Sequence, residues 1–145
     1  MSVPPPDGYR TVSAYVIAPE ADAVRVFAET VFGATEAKPA LRAASGRLVN
    51  APLAIGDSVV MLAAPQDGET RQTAMLHVYV ADCDATYHAA LAAGAESVMA
   101  PTDQFYGDRA AGVRDAAGDL WWIATRMEQL SAEEMARRVS EAKPE

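Results

Sequence analysis

Most features that assign a chemistry to a chain on sight are missing from these 145 residues. Cys83 is the sole cysteine, which excludes a disulfide framework and reads as a small buried apolar side chain in a reducing compartment rather than a nucleophile. Basic charge is in deficit, Lys+Arg 12 against Asp+Glu 20, and a formal charge of -8 repels phosphate backbones and anionic lipid, so no nucleic-acid partner is expected. No stretch approaches the roughly 20 apolar residues of a membrane span. The opening MSVPPPDGYR lacks a basic region followed by an apolar run, so a cytoplasmic protein with no membrane partner is expected. There is no P-loop, no GxGxxG after a strand, no GxSxG elbow and no CxxC pair.

What remains is the composition of one ordinary globular domain, 50% hydrophobic and 22% charged, large enough to bury a real core. Three prolines and an Asp-Gly pair make residues 1–10 an extended arm. A first module spans residues 11–65. Within it, 11–18 (TVSAYVIA) reads as a strand, and Pro19 with Asp22 ends that strand and opens a helix. Val24, Phe27 and Val31 recur at helical spacing before the stop Gly33, and after a polar stretch residues 46–55 and 59–63 form a hairpin about Gly56-Asp57. The polar linker 66–74 leads to a second module, 75–127. Residues 75–80 are its first strand, Asp82 or Asp84 caps a helix carrying Tyr87 and Leu91, and Gly94 stops it. A loop over 101–109, a strand over 110–114, a turn over 115–118 and a strand over 120–125 complete the module. In the tail, 128–145, Ser131 and Glu134 form a capping box, and Leu130, Met135 and Val139 give a short amphipathic helix expected to pack on the domain.

Gly33 and Gly94 are 61 positions apart, and the same shift carries Val59-Val60-Met61-Leu62 onto Leu120-Trp121-Trp122-Ile123 and Ala14 onto Met75. Agreement at three separated places without an insertion argues for a duplicated unit.

Three stretches carry a family resemblance: AIGDSVVML (54–62), VYVADCDATYHAALAAGAESV (78–98) and DQFYGDRAAGVRDAAGDLWWIAT (103–125). With FGATE (32–36) and SAEEMARR (131–138), they resemble the PhnB-like branch of the vicinal oxygen chelate superfamily, which includes glyoxalase I, bleomycin-resistance proteins and dioxygenases. The likeness covers nearly the whole chain from Thr11, and QFYGDR is its most specific piece. It implies an α+β fold of two tandem βαβββ modules, whose mixed sheets curl around a cleft that a second subunit often completes. A homodimer is therefore expected, which a monomeric mass at micromolar concentration would contradict. The chain departs from the family pattern at Ala28, where an aromatic is usual, at Ala116, where a proline is usual, and at Asp119, where histidine often follows the glycine.

Where members of that superfamily are metal enzymes, each module supplies one ligand from its first strand and one from its last. Carried across, those positions are Ala14 and Met61, then Met75 and Trp122. None suits Zn, Ni, Mn or Fe, which take imidazole, carboxylate or thiolate, so no metal and no other cofactor is expected. A displaced site using His77, Asn50 and a carboxylate is the alternative.

Strand alternation sends Leu76, Val78 and Val80 toward the helix and Met75, His77 and Tyr79 to the concave face. The same pleat puts Trp121 in the core and Leu120 and Trp122 in the cavity, and in the first module it puts Tyr15 and Ile17 in the core and Ala14 and Val16 on the concave side. The expected cavity is apolar and aromatic, and its candidate ligand-binding residues are Met61, Met75, His77, Tyr79, Gln104, Tyr106, Asp108, Arg109 and Trp122. His77 is the acid-base candidate, with a satisfied structural histidine as the competing reading; His88 reads as helix surface. Asp108 and Arg109 either meet ligand or pair with each other or the adjacent strand. The first functional reading is a protein that sequesters a hydrophobic or aromatic organic molecule. The second is a metal-independent isomerase, cyclase or lyase using His77 or the 104–109 loop, and the third is a metal-dependent lyase or dioxygenase.

Overall fold

The computed structural model describes residues 2–141, which fall into two compact units. The first runs to Ala74 and includes Asp115–Asp119; the second holds Met75–Arg114 and residues 120–141. Within the first unit the buried Asp119 carboxylate accepts the Ala74 N–H through Oδ1 at 2.8 Å. The last four residues of the tail lie outside the described residues.

In the first unit β1 (Ala14–Ile17) is followed by α1 (Ala21–Phe32), two short strands β2 (Thr35–Glu36) and β3 (Leu41–Arg42), and the hairpin β4 (Leu48–Ile55) and β5 (Ser58–Ala63). The sheet order is β1-β5-β4-β2, with β3 also on β4 and β1 parallel to β5. The polar stretch between helix and hairpin thus holds two strands too short to carry an alternation signal. Gly33 ends α1 in the left-handed region at φ 66°, as its position at the end of the apolar stripe implies. Asp22 does not cap α1. It sits in the first turn, where the Arg42 guanidinium at 2.6 Å holds its carboxyl below the usual range.

The pleat of β1 is the reverse of the sequence expectation. Val16 is 1% exposed and pairs with the buried Leu62, while Tyr15 is 48% exposed and pairs with Met61. All four residues of this strand are apolar or aromatic, so hydrophobicity alone gives no phase, and side-chain size is a poor substitute for it. The strand pairing decides: α1 packs on β4 and β5, and the β1 residues level with the inward residues of β5 follow them into the core.

The second unit repeats the plan with β6 (Met75–Tyr79), α2 (Cys83–Ala92), β7 (Glu96–Asp103), β8 (Asp108–Arg114) and β9 (Leu120–Arg126) in the order β6-β9-β8-β7, β6 parallel to β9. The fold is α+β, with one mixed sheet in each unit. Asp82 caps α2 by accepting the Ala85 N–H at 3.0 Å, and the buried face of α2 is Cys83, Tyr87 and Ala90. Cys83 is 1% exposed, and burial raises its thiol pKa.

The long loop expected over 101–109 is a correction. β7 continues through Pro101 to Asp103, which pairs with Arg109, leaving a turn of only four residues, 104–107. Pro101 is tolerated because β7 is an edge strand whose register shifts between Met99 and Thr102, so no ladder hydrogen bond needs its missing N–H. Gly107 closes the turn at φ 97°, where a Cβ would also meet the Glu128 carbonyl oxygen at 3.0 Å. The tail helix α3 (Ala132–Glu141) starts as expected, with Ser131 Oγ accepting the Glu134 N–H at 3.1 Å. It buries no residue, and Val139 stays 54% exposed. Polar contacts hold it instead: Arg138 reaches the Phe105 carbonyl at 3.0 Å and the Glu128 carboxylate at 3.1 Å.

Candidate functional site

The site in the second unit follows from which way β6 and β9 turn their side chains. Their parallel register sets Leu76 opposite Trp121 and His77 opposite Trp122. Trp121 is 1% exposed and belongs to the core, so its neighbour Trp122 projects from the other face, together with Met75, His77 and Tyr79. The Trp122 indole N–H points at the Met75 thioether sulfur, 3.3 Å away, and the His77 and Tyr79 rings lie 4.9 Å apart.

Space for an indole on a packed strand has to come from the next strand. Residue 112, directly opposite Trp122 on β8, is a glycine, and a Cβ there would lie 2.5 Å from Cζ3 of the ring. Trp122 therefore lies against bare backbone. Beside it opens a cavity of about 300 Å³ lined by His77, Met99, Gln104, Tyr106, Ala110 and Trp122. Gln104 and Tyr106 come from the 104–107 turn, Met99 from β7 and Ala110 from β8. Burial raises the Tyr106 phenol pKa.

The remaining expected site residues lie elsewhere. Tyr79, 63% exposed, donates its hydroxyl to Asp108 Oδ2 at 3.0 Å; the hydrogen bond to this nearly buried carboxylate raises the phenol pKa. Arg109, the next residue on β8, points to the α2 side. It holds both oxygens of Asp84, at 2.7 and 3.0 Å, and Asp103 at 3.0 Å. Asp84 is pulled below the usual carboxylate range by this contact. Of the readings left open for Asp108 and Arg109, the structure does not have them pairing with each other; Arg109 instead pairs with Asp103 on the adjacent strand β7. Met61 belongs to the first unit, level with Tyr15 and 3.9 Å from Asn50 Nδ2. His88 is on the exposed face of α2. Met99, Ala110 and Gly112 were not among the candidates. Gly112, a glycine between Ala111 and Val113 inside a strand, was the legible signal, because such a glycine marks a close approach.

The ladders also revise which positions correspond. Tyr15 faces Met61 as His77 faces Trp122, so the first strands match at a shift of 62 while the last strands keep 61. The counterpart of Met75 is then Ser13, not Ala14. A hydroxyl, two thioethers and an indole do not suit the metals of the superfamily. Among the described residues no three His, Cys, Asp or Glu side chains group closely enough to hold an ion.

Residues 10–123 match the family described as Glyoxalase/Bleomycin resistance protein/Dioxygenase superfamily. The chain belongs to this family. Uncharacterized proteins of Mycobacterium bovis and of Mycobacterium tuberculosis H37Rv are each 33% identical to this family member over 106 residues, 66% of its length and 70% and 62% of theirs. The chain therefore spans less than two thirds of the M. tuberculosis protein. Among solved structures, TioX from Micromonospora sp. ML1 aligns with a TM-score of 0.66 at 25% identity, over 81% of this chain and 98% of that one. A glyoxalase/bleomycin resistance protein/dioxygenase family enzyme from Burkholderia phytofirmans PsJN aligns at 0.61 and 21% identity, over 82% and 97%. The fosfomycin resistance protein FosX of Listeria monocytogenes aligns at 0.62 and 14% identity, over 87% and 97%, a likeness of fold. No helix among the described residues is long and apolar enough to cross a membrane.

Proposed function

We propose that this family member binds a flat hydrophobic or aromatic organic molecule, without a metal, in the cavity beside Trp122, and releases it unchanged. The observation that carries the reading is the Trp122 ring seated on Gly112, at the wall of a cavity of about 300 Å³ whose other sides are Met99, Ala110 and Tyr106. A preformed aromatic wall with a few polar groups is how sites for such ligands are built; here Gln104 and His77 are the orienting groups. Stacking on an indole contributes about 1 kcal/mol beyond area burial. The donor chemistry at Ser13, Met61, Met75 and Trp122 supports binding without a metal, and the bleomycin-resistance proteins in the family description accord with sequestration.

A second reading has one observation in its favour: His77 lines the cavity, so its imidazole is within reach of a bound molecule and could move a proton. Titration of acridine against the chain, followed by quenching of Trp emission, separates these. Saturable quenching, at least about tenfold weaker in Trp122→Ala, with acridine and its analogues recovered intact, is the expected result. Recovery of an altered molecule, with the change stopped by His77→Ala while quenching persists, would establish turnover. Unchanged affinity in Trp122→Ala, or stoichiometric Fe, Zn, Ni or Mn in protein purified without chelator, would overturn the proposal.

A further inference from the structure

The first unit has a cavity of its own, on the sheet face that carries Tyr15, and the reading above makes no use of it. It measures about 410 Å³ and its walls include Tyr15, Ile17, Arg47, Val49, Ala63 and Glu69.

Arg47 is the informative residue. Arg10, Arg25, Arg42, Arg71, Arg109, Arg137 and Arg138 each have a carboxylate oxygen 2.6–3.4 Å away. Arg47, like Arg126, has none among the described residues, although the chain carries 20 Asp and Glu, and Arg47 stands beside the apolar wall of this cavity. Among the described residues its guanidinium makes one hydrogen bond, Nη1 donating to the Ala64 carbonyl at 3.3 Å, so most of its five N–H donors face no protein acceptor there. The Tyr15 hydroxyl, on the same cavity, also makes no hydrogen bond among the described residues, and Ile17, Val49 and Ala63 form an apolar wall. Glu69, whose Oε1 accepts the Gln66 N–H at 3.3 Å, sets the charge of what can enter: one negative group at Arg47 is favoured, and a second is repelled.

We propose that this cavity binds a small monocarboxylate with a short hydrocarbon body. The planar guanidinium takes the carboxylate through charge-assisted hydrogen bonds, Tyr15 adds a donor, and the hydrocarbon lies on Ile17, Val49 and Ala63. A purely structural Arg47, pinning the Ala64 carbonyl and covering Val49 with its methylenes, would make no distinction between a carboxylate and its neutral amide.

The test is titration of the whole chain with hexanoate and with hexanamide, followed by methyl NMR of Ile17, Val49 and Ala63. Hexanoate should shift these signals saturably and bind at least roughly tenfold more tightly than hexanamide. Arg47→Gln should remove that preference, and Arg47→Lys, which keeps the charge but loses the two-pronged geometry, should retain part of it. Should Arg47→Gln fail to fold, the Lys variant and a fall in hexanoate affinity between 0.05 and 0.5 M salt, on the order of a severalfold change expected for a charged contact, provide the same discrimination. Equal binding of amide and acid, no saturation, or an unchanged preference in Arg47→Gln would overturn the proposal. The readout is at Ile17, Val49 and Ala63, so it is independent of the outcome at Trp122.

Discussion

Replacing Gly112 by alanine tests the packing argument for the site, because two effects of opposite sign meet at that residue. Gly112 is not among the glycines with positive φ, so its backbone conformation is open to alanine. Where no contact intervenes, such a change stabilises by about 0.4–1 kcal/mol through the unfolded chain. Here the added Cβ would lie 2.5, 2.8 and 3.1 Å from Cζ3, Cε3 and Cη2 of Trp122. Carbon atoms pack at about 3.5–4.0 Å, so the ring must retreat by on the order of 1 Å or β8 must bow away from β9. Overpacking of this kind costs about 1–3 kcal/mol, which exceeds the backbone gain and leaves a net loss of about 0.5–2 kcal/mol. For a chain of this size that is a fall of roughly 2–8 °C in the melting temperature. The assay is urea unfolding of four proteins: wild type, Gly112→Ala, Trp122→Ala and the double variant. In the double variant the clash is gone, so adding the methyl to a Trp122→Ala background should be neutral or stabilising. If Gly112→Ala is as stable as wild type with unshifted Trp emission, or if its loss persists in the Trp122→Ala background, the ring is not held against that backbone and the preformed wall falls with it.

Two other expectations are independent of the cavity. Asp119 is 1% exposed, and one carboxylate oxygen has no partner among the described residues; burial raises its pKa, so its contribution is fully present below the unfolded value of about 3.9 and is lost as pH rises through the folded value. Asp119→Asn should remove that decline, seen as a urea midpoint that gains on wild type as pH rises from the acid range toward neutrality; a constant difference across pH would refute it. Arg109→Lys should lower the urea midpoint slightly, because an ammonium cannot reproduce the two-pronged contact with Asp84, yet should leave acridine binding unchanged, since Arg109 points to the α2 side. A loss of acridine affinity without loss of stability would return Arg109 to the site.

Some of this structure was legible in the sequence for identifiable reasons. The β4–β5 hairpin announces itself through Gly56-Asp57, a two-residue connection between β-rich runs, and Asp82 and Gly33 mark helix ends through backbone demands that few other residues meet. Trp121 and Trp122 separate to opposite faces because polar and apolar neighbours fix the phase of β6, and β9 pairs with it in register. Where no polar residue fixes the phase, as in Tyr15-Val16-Ile17, only the partner strand decides, and that information is not local. Pro101 signals a loop wherever a strand must donate from both edges, and only the place of β7 at the sheet edge lets the strand run through it. The partners of Asp108 and Arg109, Tyr79 and Asp84, lie 29 and 25 positions away and depend on how far each strand runs before it turns.

The unequal shifts between the two ladders say where this architecture accepts a change in length. From Tyr15 to Gly33 the first unit uses one residue more than the second uses from His77 to Gly94, and the hairpins differ as well: β5 matches β9 at a shift of 61 while their partners β4 and β8 match at 60, so the turn between them is one residue longer in the second unit. One residue added inside a strand would turn its side chains over, exchanging interior for exterior. Added between the strand and the end of its helix, it is absorbed by the connection or by a slightly longer helix, and the sheet keeps its phase. Length variation among homologues should therefore gather at the strand-to-helix junctions and in the hairpin turns, and a graft between the halves of this chain needs a different count at each of these places.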